Sequence, residues 1–344
     1  MEQYMRRCFE LAKLGLGNIK TNPSVGCVIV HDGKIIGEGY HKKYGEAHAE
    51  VNAVNSVPES LKHLLPKSEM YVTLEPCFHY GKTPPCVNLI LRHKIPKVII
   101  SCIDPNPKVS GRSIEKLRSN GVEVITGLLE KEGRFVTRRF FTKIQKKRPY
   151  IILKYAKSRD GFLGKPNQQI WITGPMVKRL DHRWRHEEMG ILVGTNTALV
   201  DDPQLTNRLW TGNTPIRMVM DRQGRLPKNL KLLDDSTETL VFIDKSIERK
   251  STKNIIYHPI DFSKNSLQQA LQIMYERRIM SVVVEGGALL LNSFIKQGLW
   301  DEARVLEGSV NLGSGLVAPT LNEIEPQSIH QVGKDKLYLY YKDF

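Results

Sequence analysis

A chain of 344 residues is longer than one ordinary hydrophobic core organises, and at roughly 150 residues per domain it implies two. Forty per cent hydrophobic residues, 26 glycines and five cysteines exclude a disordered, collagen-like or disulfide-stapled chain, and no apolar run approaches the about 18 residues of a membrane span. A formal net charge of +15 predicts an anionic partner, but the clusters Arg138-Arg139, Lys146-Lys147-Arg148 and Arg277-Arg278 are short and lack the interleaved aromatics of a base-stacking surface.

In chain order, Tyr4, Met5, Cys8, Leu11, Ala12 and Leu16 fall on one stripe of an amphipathic helix. This start lacks the basic-then-apolar pattern of a secretory signal, so a cytoplasmic setting is expected. Val25 to Gly39 reads as a hairpin turning at Asp32-Gly33. A helix from about His48, a strand Met70 to Leu74, and a helix opening near Pro76 and continuing past Cys86 are expected next. A strand Val98 to Cys102, a helix Ser113 to Ser119 and a strand Val122 to Thr126 complete a sheet with helices on its faces. The charged stretch Lys143 to Pro149 precedes a new apolar strand, Tyr150 to Tyr155, and sets the boundary between units 1–146 and 147–344. The second unit alternates again: strands at Gly190 to Gly194, Ile216 to Met220, Thr239 to Ile243 and Ser281 to Glu285, helices at Ser266 to Arg277 and from Gly287, and a last strand Lys336 to Tyr341.

His48-Ala49-Glu50, Pro76-Cys77 and Cys86 supply one imidazole, two thiolates and a carboxylate. Three protein ligands (His48, Cys77, Cys86) leave a fourth zinc position open, where bound water ionises near neutral pH. Cys77 is expected near a helix N-terminus, where the dipole favours thiolate. Glu50, two residues past the imidazole, is placed to carry protons from that water to a departing amine, in the order of the H-x-E…P-C-x-x-C deaminase signature. Alone, His-Ala-Glu is more often a plain helix start, and Pro-Cys carries little information; it is their conjunction that points to a catalytic metal. Eight residues, FHYGKTPP, separate the two cysteines where the usual spacing is two, and they bring His79 and Lys82 beside the metal. Cys8, Cys27 and Cys102 sit among apolar residues and read as small core side chains.

With Asn22-Pro23-Ser24-Val25-Gly26, Gly45 to Glu50, Glu75 to Cys86 and Asp104-Pro105-Asn106-Pro107 all present, the chain resembles the bifunctional riboflavin-biosynthesis deaminase/reductases. The second half adds Leu153-Lys154, Ser158-Arg159-Asp160-Gly161, Trp171-Ile172-Thr173, Asp201 to Thr206 and Glu285-Gly286-Gly287 in the same family's order. The resemblance implies an α/β protein: a cytidine-deaminase-like αβα domain followed by a dihydrofolate-reductase-like α/β domain. It further implies zinc, NADPH and a phosphorylated pyrimidine substrate, no nucleic-acid or membrane partner, and a homo-oligomer. By the same resemblance Asn22, His79, Lys82, Asp104 and Asn106 hold the deaminase substrate. Lys154, Gln169, Arg185, Leu205, Arg208 and Glu285 fall on reductase substrate positions, with Lys154 assisting proton transfer. Ala156, Trp171, Thr197, Asp201, Gly286 and Gly287 fall on NADPH positions.

Guanidinium suits a substrate phosphate because it engages two oxygens at once, which supports Arg185 and Arg208. The glycine pair after an apolar strand offers backbone amides and a helix dipole to a second phosphate. Two departures stand out: Arg159 occupies a usually apolar position, and Leu306 to Ser309 with Gly313-Ser314-Gly315 replaces the usual Ala-Pro-x-x-Leu-Gly-Gly. A nucleic-acid editing deaminase, such as one acting on tRNA, shares the zinc chemistry and the basic charge, but has no use for the long inter-cysteine segment or the second domain. A merely structural zinc module gains nothing from an unligated Glu50.

Overall fold

The computed structural model describes residues 1–78, 80, 84–107, 109–166, 168–321 and 324–343. The chain divides into two compact units, Met1–Lys147 and Arg148–Phe344, one residue beyond the boundary expected from the charged stretch.

In the first unit, helix α1 (Glu2–Lys13) buries Met5, Cys8, Phe9, Leu11 and Ala12. Strand β1 (Gly26–His31) returns as β2 (Lys34–Tyr40) through Asp32 and Gly33, both left-handed at φ 44° and 74°, the backbone that an Asp-Gly hairpin turn demands. Helix α2 (Ala49–Ser56), strand β3 (Glu69–Leu74), α3 (Cys86–Arg92), β4 (Lys97–Cys102), α4 (Arg112–Ser119) and β5 (Glu123–Thr126) follow. Two short helices, α5 (Glu130–Val136) and α6 (Arg138–Lys146), were not expected. The sheet runs β2-β1-β3-β4-β5, with β1 antiparallel to both neighbours and β3, β4 and β5 parallel. Alternation along β1 covers both faces: Cys27 and Ile29 pack with Ala49, Ala53, Val87 and Ile90, while Val28 and Val30 pack with Met5, Cys8, Leu11 and Val136. The result is the αβα layering.

The helix expected from Pro76 begins instead at Cys86. Pro85 is extended at φ −58° and ψ 135°, and a proline pushes the residue before it away from helical backbone, so the helix starts only past the proline pair.

In the second unit, β6 (Tyr150–Lys157), β7 (Phe162–Gly164), α7 (Pro175–Glu187), β8 (Gly190–Gly194), α8 (Thr195–Asp201), β9 (Ile216–Asp221), β10 (Thr239–Asp244) and β11 (Ile255–Ile260) come first. Then follow α9 (Ser266–Glu276), β12 (Ser281–Val284), α10 (Ala288–Lys296), β13 (Glu302–Glu307), β14 (Leu316–Val317), β15 (Ser328–Val332) and β16 (Asp335–Tyr341). The large sheet runs β11-β10-β9-β8-β12-β6-β13-β16-β15, parallel from β11 to β13, with β16 and β15 added antiparallel at one edge. Leu192, Met218, Leu240 and Phe242 meet α9 and α10 on one face, whereas Ile191, Val193, Val219 and Val241 pack on the other with Ala198 and Leu232. Burial of both faces explains why these strands read as continuous apolar runs. No helix among the described residues is long and apolar enough to cross a membrane.

Candidate active sites

In the first unit the site is built at the ends of α2, β3 and α3. His48 is the residue before α2, in extended backbone, and Cys86 is the first residue of α3. The His48 Nδ1 lies 3.5 Å from Cys77 Sγ and 3.4 Å from Cys86 Sγ, and the three atoms all fall within 4.8 Å of one another. A tetrahedral zinc with bonds of about 2.05 Å to nitrogen and about 2.3 Å to sulfur separates the two donor types by about 3.6 Å, so this donor set fits the ion.

Cys77 itself lies outside any helix, but its sulfur accepts the backbone N–H of Cys86, the first residue of α3, at 3.2 Å, so the helix N-terminus it meets is that of α3. The hydrogen bond from the Cys86 thiol, then His48 and that amide, pull Cys77 down to about 4, while the same thiol contact and burial push Cys86 well up. One thiolate is thus ready to meet a cation. Glu50, the second residue of α2, is 3% exposed. Burial, and then the charge of Cys77, push its carboxyl above the usual range, which suits a group that must hold and release a proton.

Asn22 gives its amide to His41 Nε2 at 2.9 Å, and His41 Nδ1 lies 3.1 Å from the Ala47 carbonyl oxygen. With Nδ1 donating to that carbonyl, the buried His41, whose ring meets His48 edge-on, fixes which way the Asn22 carboxamide turns. Sequence reasoning passed over His41 because a lone histidine after a strand carries no spacing signal. Asp104 and Asn106 share one loop after β4, where Asp104 Oδ1 accepts the Asn106 N–H at 2.8 Å. Asp104 also borders a cavity of about 240 Å³ with Ser101, Thr126 and Glu130, and none of the three metal-ligand candidates lines it. His79 and Lys82 lie outside the described residues.

Buried Glu75, next to the metal segment, anchors that loop: Oε2 accepts the amides of Asp104 at 3.2 Å and Gly111 at 3.0 Å, and Oε1 accepts the Ser113 N–H at 3.3 Å and its hydroxyl at 2.6 Å. Glu75→Gln turns an NH₂ donor toward these donors and is expected to cost the N-terminal unit about 1–3 kcal/mol, read from its urea unfolding midpoint. An unchanged midpoint would show that the loop holds without it.

The second unit carries a cavity of about 490 Å³ at the carboxyl ends of β6, β8 and β12, where open α/β sheets bind ligands. Lys154, Gln169, Trp171, Arg185, Thr197, Asp201, Leu205, Arg208 and Glu285 all line it. Lys154 Nζ sits 2.8 Å from Asp181 and 3.9 Å from Glu285, and Arg185 meets Glu285 at 3.1 Å. Burial alone lowers Lys154, but Asp181 and Glu285 outweigh it and hold the ammonium charged. Asp181 is raised by burial despite Lys154, and its Oδ1 is buried without a partner among the described residues, as is Arg185 Nε. Both orphan atoms belong to residues lining the cavity.

Three expected cofactor positions do not line this cavity. Ala156 packs with Val177, Trp184, Leu306 and Leu337. The Gly287 amide, expected to face a phosphate, donates to Thr197 Oγ1 at 2.9 Å. Gly286 lies so close to α10 and β8 that an added Cβ would fall 2.9 Å from Leu290 and 3.2 Å from the Gly194 nitrogen, so helix–strand packing requires a glycine there. The segment that departs from the family pattern is clamped: Asp160 accepts the amides of Leu312 at 3.1 Å and Gly313 at 2.7 Å.

Residues 1–102 match the cytidine and deoxycytidylate deaminase zinc-binding region, and residues 149–337 match the RibD C-terminal domain. The riboflavin biosynthesis protein RibD of Aquifex aeolicus is 36% identical over 355 residues, covering 100% of this chain and 98% of that protein. The chain belongs to the RibD family. Its Escherichia coli relative is 34% identical, over 91% of this chain and 89% of that one. Among solved RibD-family structures, the deaminase/reductase of Thermotoga maritima superposes with a TM-score of 0.89 at 36% identity, and Acinetobacter baumannii RibD with 0.88 at 31%, each covering 99% of this chain and 98% of the other. The cytidine-deaminase fold in the first unit and the RibD reductase fold in the second are those the family resemblance implied.

Proposed function

We propose that the N-terminal unit hydrolyses the 2-amino group of 2,5-diamino-6-ribosylamino-4(3H)-pyrimidinone 5′-phosphate, and that the C-terminal unit then reduces the ribosyl group to ribityl with NADPH, as a step pair of riboflavin biosynthesis. The observation that carries this reading is the convergence of His48 Nδ1 with two thiol sulfurs at zinc-ligand spacing, beside a buried carboxyl that is not one of the three donors. Zinc, when bound by His48, Cys77 and Cys86, supplies Lewis-acid polarisation of water at neutral pH. Glu50 takes a proton from the attacking water as the new C–O bond forms, and delivers it to the amine as the C–N bond breaks and ammonia leaves. Asn22, Asp104 and Asn106, with His79 and Lys82, hold the heterocycle.

In the reductase cavity NADPH supplies hydride to the sugar carbon, with Trp171, Thr197 and Asp201 as its holding residues. The fit rests on cavity size and on Trp171, which is 68% exposed and offers a ring face under Lys178 Nζ at 5.1 Å. Lys154, kept charged between two carboxylates, donates to the sugar oxygen where negative charge develops. Arg185 and Arg208 bind the 5′-phosphate. The editing-deaminase alternative is not favoured, because relatives that match along nearly the whole chain are riboflavin-biosynthesis proteins.

A coupled assay of ammonia release and NADPH oxidation on one substrate tests the pair of activities. Cys77→Ser is expected to lose bound zinc and ammonia release while still oxidising NADPH on supplied deaminated product. Loss of both activities in that variant would refute two separate sites.

A further inference from the structure

Helix α7 presents Lys178, Asp181, His182 and Arg185 to the reductase cavity at helical spacing, so Arg185 is rooted in regular structure. Its companion on the phosphate, Arg208, is not. Arg208 stands on the irregular segment 205–214 between α8 and β9, and that segment is tied back to α7 at both ends by imidazoles. His182 Nδ1 accepts the Arg208 N–H at 2.8 Å and the Leu209 N–H at 3.4 Å. One helical turn on, His186 Nδ1 accepts the Asn213 N–H at 3.0 Å. Gly212 is pressed so closely to the same ring, at φ 127°, that an added Cβ would fall 2.2 Å from His186 Nδ1. Trp210 lies under the Arg179 and Arg183 guanidiniums at 5.6 and 5.7 Å, and Arg185 itself donates to the Thr206 carbonyl at 3.3 Å.

These ties work against a repulsion. Burial and the neighbouring Arg185 both lower Arg208, so two like charges are held near each other before any anion arrives. A segment without its ties would relax by swinging Arg208 outward, and the site would have to rebuild the pair on each binding event. Both imidazoles must present a bare Nδ1 to accept a backbone amide. Burial, with Arg185 and Arg208 nearby, keeps His182 near 4, and burial lowers His186 as well, so both are neutral around pH 7.

We propose that His182 and His186 are positioning residues that fix Arg208 beside Arg185, so that the reductase site recognises the 5′-phosphate of its substrate. This rests on the reading of the two arginines as the phosphate pair. If an untied segment holds Arg208 in place for about a tenth of the time, apparent affinity for the phosphorylated substrate falls about tenfold.

The test uses the full-length chain and NADPH oxidation on the deaminated ribosylaminouracil, supplied with and without its 5′-phosphate. His182→Leu removes the acceptor, whereas His182→Asn keeps an acceptor oxygen near the Nδ1 position. The leucine variant is expected to lower the ratio of kcat/KM, phosphorylated over dephosphorylated, about tenfold through KM, with kcat within about threefold; the asparagine variant is expected to recover most of that ratio. His186→Leu, which does not line the cavity, carries the same prediction at about threefold if His182→Leu fails to fold. Arg208→Ala separates the two ideas. If it lowers the ratio while neither histidine variant does, the latch is wrong and the phosphate reading stands. If Arg208→Ala leaves the ratio unchanged, the phosphate reading itself falls and takes the latch with it.

Discussion

Glu50→Gln is expected to lower ammonia release on the order of 10³- to 10⁴-fold while bound zinc, fold and NADPH oxidation on deaminated product are all retained. The size follows from the two jobs of one carboxyl, which must accept a proton from water and then return it to the leaving nitrogen. A carboxamide of the same shape can do neither. Zinc is retained because the converging donors are His48 Nδ1 and two sulfurs, with Glu50 outside that set. Stability is retained because Glu50 is 3% exposed and ionising it there is unfavourable; a neutral side chain of equal volume removes that penalty. Metal analysis, thermal unfolding and the reductase rate of the same preparation supply the controls. Ammonia release within tenfold of the parent protein, with zinc still bound, would show that another group moves the protons.

The features legible in the sequence were those in which chemistry or backbone geometry restricts the residue type. His48, Glu50, Cys77 and Cys86 were readable because few side chains ligate zinc or shuttle protons, and Asp32-Gly33 because positive φ at both turn positions admits few residues. Helix α7 was missed for the opposite reason. Its apolar face is only Val177, Leu180 and Trp184, while Lys178, Asp181, His182 and Arg185 line a cavity, so the helical period is carried by polar residues. Helices α5 and α6 are short and charged, and the end of α6 was taken into the linker. At Gly286 a second constraint was hidden: close packing against Gly194 and Leu290 leaves no room for a side chain, and no local pattern reports that contact. Glu75, His41 and His182 went unread because each acts through a backbone or amide partner distant in sequence.

For the reductase, Lys154→Met is expected to lower NADPH oxidation about 10²-fold or more, with ammonia release unchanged. Lys154 and Arg185 face Asp181 and Glu285, two positive and two negative charges, so removing the ammonium leaves the group at −1. Breaking a buried pair on one side typically costs about 3–5 kcal/mol, and a lower rate by itself would not distinguish lost chemistry from a loosened site. Among the described residues, Asp181 Oδ1 has no partner to compensate. The double variant Lys154→Met/Asp181→Leu resolves this, because it restores neutrality with the Arg185–Glu285 pair intact at 3.1 Å. Thermal unfolding of the second unit is expected to recover in the double variant while NADPH oxidation stays low, since the group that donates to the sugar oxygen is still missing. Recovery of the rate to within tenfold of the parent would make Lys154 a counter-ion for Asp181 and nothing more.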